Sequence, residues 1–325
     1  MSMLEVRTMP RVDESRREAV SFLTAHGISL AGHLYPARGR SGGPGPALAM
    51  CGPITSVKEE TLPHYAVALQ DAGYTVLTFD NRNFGDSGGE PRQHIDTYEH
   101  TEDLRYAVSY MLTRPDVDPE RFGLCCVCLG AGYALEVAAM DRRIKAVALV
   151  AGGYNLTDTY VEFLGDGFEG FMDQLNTARQ KQFATAEVQY MPSIAGPPDY
   201  GPAAMPVQEA WEYYSGAQER EAPNWENRLT VESMEHVIGW NVVGHAHLVV
   251  QPLLIVHGTT DQLLPPRFAQ EVYDLAPEPK QLEWIKTDNH VQLYDQAPYV
   301  PEAIDHCITF FDGHLASGAA SASAA

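Results

Sequence analysis

The sequence predicts an α/β fold, a mostly parallel twisted sheet with helices on both faces. Three observations lead there. Short strand-like apolar runs alternate with segments whose apolar residues recur at helical spacing. Most of those runs are continuously apolar, as in strands covered on both sides. The alternation breaks once, over a long aromatic-bearing stretch from 154 to 246.

The elements follow in order. Residues 1–17 are charged and read as a flexible or surface-lying arm. Extended runs at 19–24 and 29–35 flank His26-Gly27, which predicts a hairpin and an antiparallel edge. The Gly/Pro-rich stretch 38–46 is a loop, and 47–51 a buried strand. Ser56 and Glu59 match a capping box that opens a helix. Pro63 makes that helix kink or restart, and Gly73 ends it. A strand at 75–79 leads into the turn-rich DNRNFGDSGGEPR. Leu104, Ala107, Val108 and Met111 mark a helix over 99–114 that Pro115 stops. Strands at 122–126 and 144–150 enclose a small-residue helix at 130–140. Beyond the interruption come a strand at 252–257 and a helix carrying Phe268, Val272 and Leu275. A strand at 282–285 precedes a last helix with Ile304, Cys307, Ile308 and Phe311.

The organisation expected is therefore an arm (1–17), a core in two parts (18–153 and 247–315), an insertion (154–246) and a tail (316–325). The tail lacks bulky residues and is expected to be disordered. A structureless connection as long as 154–246 would be abnormal, so it is read as a mainly helical lid. A small independent domain is the alternative.

Composition narrows the function classes. A chain of 325 residues, 45% hydrophobic and 10% aromatic, is globular. Its formal charge of −21 repels phosphate backbones and anionic headgroups, so no nucleic-acid or membrane partner is expected. No run approaches the ~20 apolar residues of a membrane span, and the first residues lack a signal-peptide core, so a cytoplasmic location is expected. Five cysteines, an odd number with three crowded together, point to reduced and reactive thiols rather than disulfides. No metal or cofactor is expected. His245 and His247 lack a third ligand, and Gly85–Gly89 lacks the context of a phosphate loop. His257 reads as a packed strand-end residue, and Asp80 and Arg82 as parts of a structural turn. The oligomeric state is open, a homodimer included.

The informative segment is CCVCLGAGYAL, Cys125 to Leu135, where a strand hands over to a helix. A nucleophile presented on such a turn needs small neighbours two residues to either side, here Cys126 and Gly130. Gly132 lets the helix approach the sheet. These residues resemble the nucleophile elbow of the α/β-hydrolase superfamily, G-x-S-x-G in esterases. With cysteine as nucleophile they look most like its dienelactone-hydrolase-related branch. Cys126 departs from the pattern, standing where glycine is usual.

In that superfamily the acid and the histidine follow the nucleophile in order. Asp261 lies after the strand of PLLIVHGTTDQLLPP, and His290 after the strand of LEWIKTDNHVQLYD, at the positions the resemblance implies. The strand at 144–150 ends in AGGYN without a competing carboxylate. Plainer roles stand beside these: Cys128 as a buried core thiol, His290 as a surface loop residue, Asp261 as a cap on the helix near Pro265. Asp288 is an alternative carboxylate. The resemblance also implies an oxyanion hole from the Leu129 amide and one in CGPITS. Pro53 has no N–H, so Ile54 is chosen, with Thr55 next. Lys58 and Glu59 either reach the pocket or serve the local helix. Trp211, Tyr213, Tyr214 and Trp225 line an acyl pocket or form the lid's own core.

The expected activity is hydrolysis of an ester, thioester or lactone through an acyl-cysteine, on a small-molecule acyl substrate. A second expectation is acyl transfer or carbon–carbon bond formation from the same intermediate, since cysteine-bearing relatives act on polyketide chains. A third is a non-catalytic binding protein on this fold.

Overall fold

The computed structural model describes residues 6–39 and 42–315. Eight strands form the central sheet: β1 (Glu18–Leu23), β2 (Ser29–Tyr35), β3 (Gly45–Met50), β4 (Thr75–Phe79), β5 (Val117–Val127), β6 (Ala146–Val150), β7 (Leu253–Gly258) and β8 (Lys280–Ile285). Their spatial order is β8-β7-β6-β5-β3-β4-β2-β1. Pairing is parallel from β8 to β4, while β2 and β1 join antiparallel at one edge. The order reverses between β3 and β5, and ligands of open α/β sheets bind beyond the strand ends at such a switch point. Every residue of β4 and β6 is buried, which explains the unbroken apolar run of β6 and leaves only Thr75 and Thr78 polar in β4. Each fully buried Val or Leu contributes about 2 kcal/mol.

The core helices are α1 (Leu62–Asp71), α2 (Thr97–Leu112) and α3 (Leu129–Met140) before the interruption. Asp96 caps α2 by accepting from the Tyr98 and Glu99 amides. The stretch 154–246 carries α4 (Leu156–Leu164), α5 (Phe168–Thr185), α6 (Gln208–Arg220) and α7 (Val231–Ile238). Three helices follow it: α8 (Pro266–Leu275), the single turn α9 (Gln292–Asp295) and α10 (Tyr299–Leu315).

The helix expected from Ser56 does not form; α1 begins at Leu62. Pro63 has no N–H and belongs in a first turn, which sets that start. The Ser56 hydroxyl donates back to Pro53 O at 2.8 Å. Glu59 meets the Lys58 ammonium at 2.9 Å instead of capping. Lys58 is itself buried between Asp80 (2.9 Å) and Asp86 (2.6 Å) and, like Glu59, stays out of the pocket described below.

In the arm, Arg7–Thr8 pairs antiparallel with Gln296–Ala297, and the Met9 amide donates to Asp295 O at 2.6 Å. The arm therefore lies on the surface against the segment after α9. The expected tail, and residues 1–5, lie outside the described residues. No helix among the described residues is long and apolar enough to cross a membrane.

Candidate active site

Cys128 sits between β5 and α3 with φ 59° and ψ −127°, a conformation L residues adopt only when their surroundings enforce it. Here the enforcement is visible. The Cys128 amide donates to Val150 O at 2.9 Å, and Gly153 N donates back to Cys128 O at 3.0 Å. Gly130 N donates to Gly52 O at 3.0 Å, so the turn is stitched to the ends of β3 and β6. A side chain at Gly130 would put its Cβ 2.3 Å from Cys51 O; one at Gly132 would lie 2.2 Å from Gly153 O. At the −2 position the Cys126 sulfur accepts the Cys51 amide at 3.2 Å. Cysteine is thus tolerated there by finding a partner.

His290 and Asp261 come to this turn from the loops after β8 and β7. His290 Nδ1–H donates to Asp261 Oδ2 at 2.5 Å, both groups fully buried. The other Asp261 oxygen accepts the Leu263 and Leu264 amides at 3.0 and 2.7 Å. Its capping reading and its pairing with histidine hold together, one on each oxygen. Asp288 plays no part in that pairing, its amide donating instead to the Gln292 side chain at 2.7 Å. His257 is fully buried at the end of β7, its Nε2 donating to Leu264 O at 3.0 Å.

The electrostatics bind cysteine and histidine into one unit. Burial pushes the Cys128 thiol up, but the bond and charge of His290, the Tyr294 hydroxyl and the Ile54 amide bring it below its ordinary value. Burial pushes His290 down, yet the Asp261 carboxylate and the Cys128 sulfur raise it well above the ordinary imidazole range. A thiolate beside an imidazolium is the state these shifts favour. The Ile54 amide thus points at the sulfur, while the Leu129 N–H, at the first position of α3, lies outside the helix's own ladder.

A pocket opens over the thiol. Its walls are apolar, with Leu156, Tyr160 and Phe163 from α4, Met205, and Leu263 and Leu264 beside Asp261. Trp211, Tyr213, Tyr214 and Trp225 are absent from that lining, which speaks against the first of the two roles set out for them, the acyl pocket, and leaves the second. Trp211 packs on Gly196 instead. Tyr214 donates its hydroxyl to Ile54 O at 2.6 Å and Trp225 its indole N–H to Thr55 O at 3.0 Å, while Tyr213 bonds Thr61 at 2.6 Å. Buried Tyr and Trp need such partners, and these are supplied by the loop that carries Ile54. Among the described residues no cluster of side chains could hold a metal.

Two residues escaped the sequence reading. Glu209 of α6 accepts the His290 and Val291 amides at 2.8 and 3.3 Å, a contact across 81 positions with no local signal. Tyr294 lies 2.8 Å from His290 Nε2 and does have a signal, standing one helical turn after the histidine.

Residues 59–297 match the family model Hydrolase_4, described as "Serine aminopeptidase, S33". The chain belongs to this α/β-hydrolase family. At the elbow, where the family's description implies serine, it carries Cys128. It is 30% identical to polyketide transferase af380 of Aspergillus fumigatus over 92% of this chain and 99% of that one. It is 29% identical to a thiohydrolase of Eupenicillium brefeldianum, covering 90% and 92% of the two chains. The crystal structure of the α/β hydrolase GrgF from Penicillium sp. sh18 superposes with a TM-score of 0.77 at 27% identity, over 92% of this chain and 99% of that one. The protein is an enzyme, a hydrolase or acyltransferase on this fold.

Proposed function

We propose that the enzyme forms an acyl thioester on Cys128, taking a neutral apolar acyl group from a small-molecule thioester, ester or lactone. The observation that carries this reading is a thiol of lowered pKa, set at a strained turn beside His290, at the base of an apolar pocket. His290, oriented by Asp261, takes the thiol proton, and the thiolate attacks the substrate carbonyl. The Ile54 and Leu129 amides receive the oxyanion. The departing thiol or alcohol regains its proton from His290. A thiolate is expelled more readily than an amine, so amide cleavage is disfavoured. The pocket lining holds no carboxylate to receive a free α-ammonium group, which also argues against an aminopeptidase.

Water resolving the acyl-enzyme makes a hydrolase; another acceptor makes a transferase. The thiohydrolase and polyketide transferases among its relatives divide the same way, and they support a polyketide-type chain as the acyl group. In this reading the helical insertion acts as a lid over the chain, and the cysteine at the elbow supports membership of the dienelactone-hydrolase-like branch. Intact-protein mass spectrometry after exposure to a panel of acyl thioesters tests the reading. A mass increase is expected that is absent in Cys128→Ala, and acylation persisting in that variant overturns it. Product analysis with and without an added acceptor separates the two fates.

A further inference from the structure

The hydrogen bond that His290 Nε2 makes at 2.8 Å runs to the hydroxyl of Tyr294. The same hydroxyl stands beside the Cys128 sulfur in the pocket wall and acts on its charge. Tyr294 is buried, lines the pocket beside both residues, and is held in place from several sides. Its ring meets His290 at 5.0 Å and Tyr213 at 4.9 Å, both edge to face. Tyr65 donates to Leu293 O at 2.7 Å, fixing the turn that carries it. A buried phenol needs a partner for its proton, and here two are offered, a ring nitrogen and a sulfur.

We infer that Tyr294 is a further catalytic residue, its hydroxyl donating to the Cys128 thiolate while accepting from the protonated His290. The inference rests on Cys128 being the nucleophile. When the thiol ionises, the S–H bond breaks, its electron pair stays on sulfur and the proton forms a bond to Nε2. Tyr294 keeps its own proton throughout, and its O–H turns to the new negative charge. A hydrogen bond to the charged form favours that form. Once the carbonyl carbon is bonded to sulfur, the sulfur no longer draws that donor, and the departing group takes the proton from Nε2.

Other groups also face the sulfur. Tyr133 of α3, Tyr160 of α4 and Tyr214 of α6 stand around it, Asp261 stands behind His290, and Glu209 behind the histidine loop. Among the described residues, Tyr294 is the one of these groups whose hydroxyl bonds His290 Nε2 while standing beside the Cys128 sulfur.

The test is Tyr294→Phe in the full chain, which keeps the ring and removes the hydroxyl. Alkylation of Cys128 by iodoacetamide is followed across pH by intact mass, with Cys128→Ala as the blank. The midpoint for thiolate formation is expected to move up by about one pH unit, so the rate below it falls about tenfold. Thioester turnover should lose kcat with its acid limb displaced in the same direction. A profile superimposable on the wild type overturns the inference. Should the Phe variant fail to fold, Tyr294→Leu gives the same reading, because either lacks the hydroxyl. If Cys128→Ala is labelled as fast as the wild type, it is the nucleophile assignment that falls, a separate outcome.

Discussion

The two walls of the Cys128 pocket are held by different means. The wall carrying the thiol is built mainly by backbone: carbonyls of β3, β6 and their loops take the amides of the elbow, and glycines permit the approach. The opposite side, the loop of Ile54 and Thr55, is held by large side chains from the insertion, Tyr214 and Trp225, donating to its carbonyls. Thr55 is itself held at φ 60°, a left-handed conformation that needs such support. The first wall tolerates no added carbon at Gly130 or Gly132. The second should tolerate conservative exchange at a graded cost.

The comparison can be broken at several points. Cys128→Ala should remove thioester turnover by about 10⁴-fold or more, leaving binding and folding intact, as measured by steady-state rates and ligand titration. Asp261→Asn keeps the shape but loses the charge that holds the imidazole tautomer, and should lower kcat by roughly 10³- to 10⁴-fold. Gly130→Ala drives a Cβ into Cys51 O and should lower stability by about 3 kcal/mol or more in denaturant melts. Full stability in that variant would mean the elbow wall is looser than described. The pH profile is a gentler probe. Cys128 is lowered and His290 raised, so turnover should hold a plateau that begins below the ordinary thiol value and ends above the ordinary histidine value. Acid quenches it by protonating sulfur, base by removing the imidazolium proton.

Tyr214→Phe and Trp225→Phe should have the smallest effects, about 1 kcal/mol each in stability. Their kcat should fall by roughly three- to tenfold at steady KM, because the loop they hold presents an oxyanion donor. A rise in KM at unchanged kcat would instead return them to the acyl pocket.

Why one wall was legible and the other was not follows from the same contrast. A strained turn demands small residues at fixed offsets, so Cys126, Gly130 and Gly132 announce it within one short segment. Asp261 and His290 were legible because each follows a recognisable apolar strand. Asp261 was legible in both of its readings, since a carboxylate has two oxygens and uses them separately. The aromatic partners of the Ile54 loop sit 160 and 170 positions away from it, and nothing in a run of aromatics says whether a hydroxyl faces a ligand or a carbonyl. The capping box at Ser56 failed for a related reason. Its residue types were right, but Glu59 was claimed by the buried Lys58 ammonium, a tertiary demand that local spacing cannot register.

The short strand at Arg7–Thr8 braces the chain beside Tyr294. It buttons the front of the polypeptide onto the segment just after Tyr294, and Asp295 in that segment also takes the Arg220 guanidinium at 2.6 Å. Trimming by a protease past Met9, or a bulky fusion partner joined ahead of Arg7, strips the outer brace from the turn that seats the phenol. A clipped preparation should lose specific activity well before its far-ultraviolet circular dichroism changes.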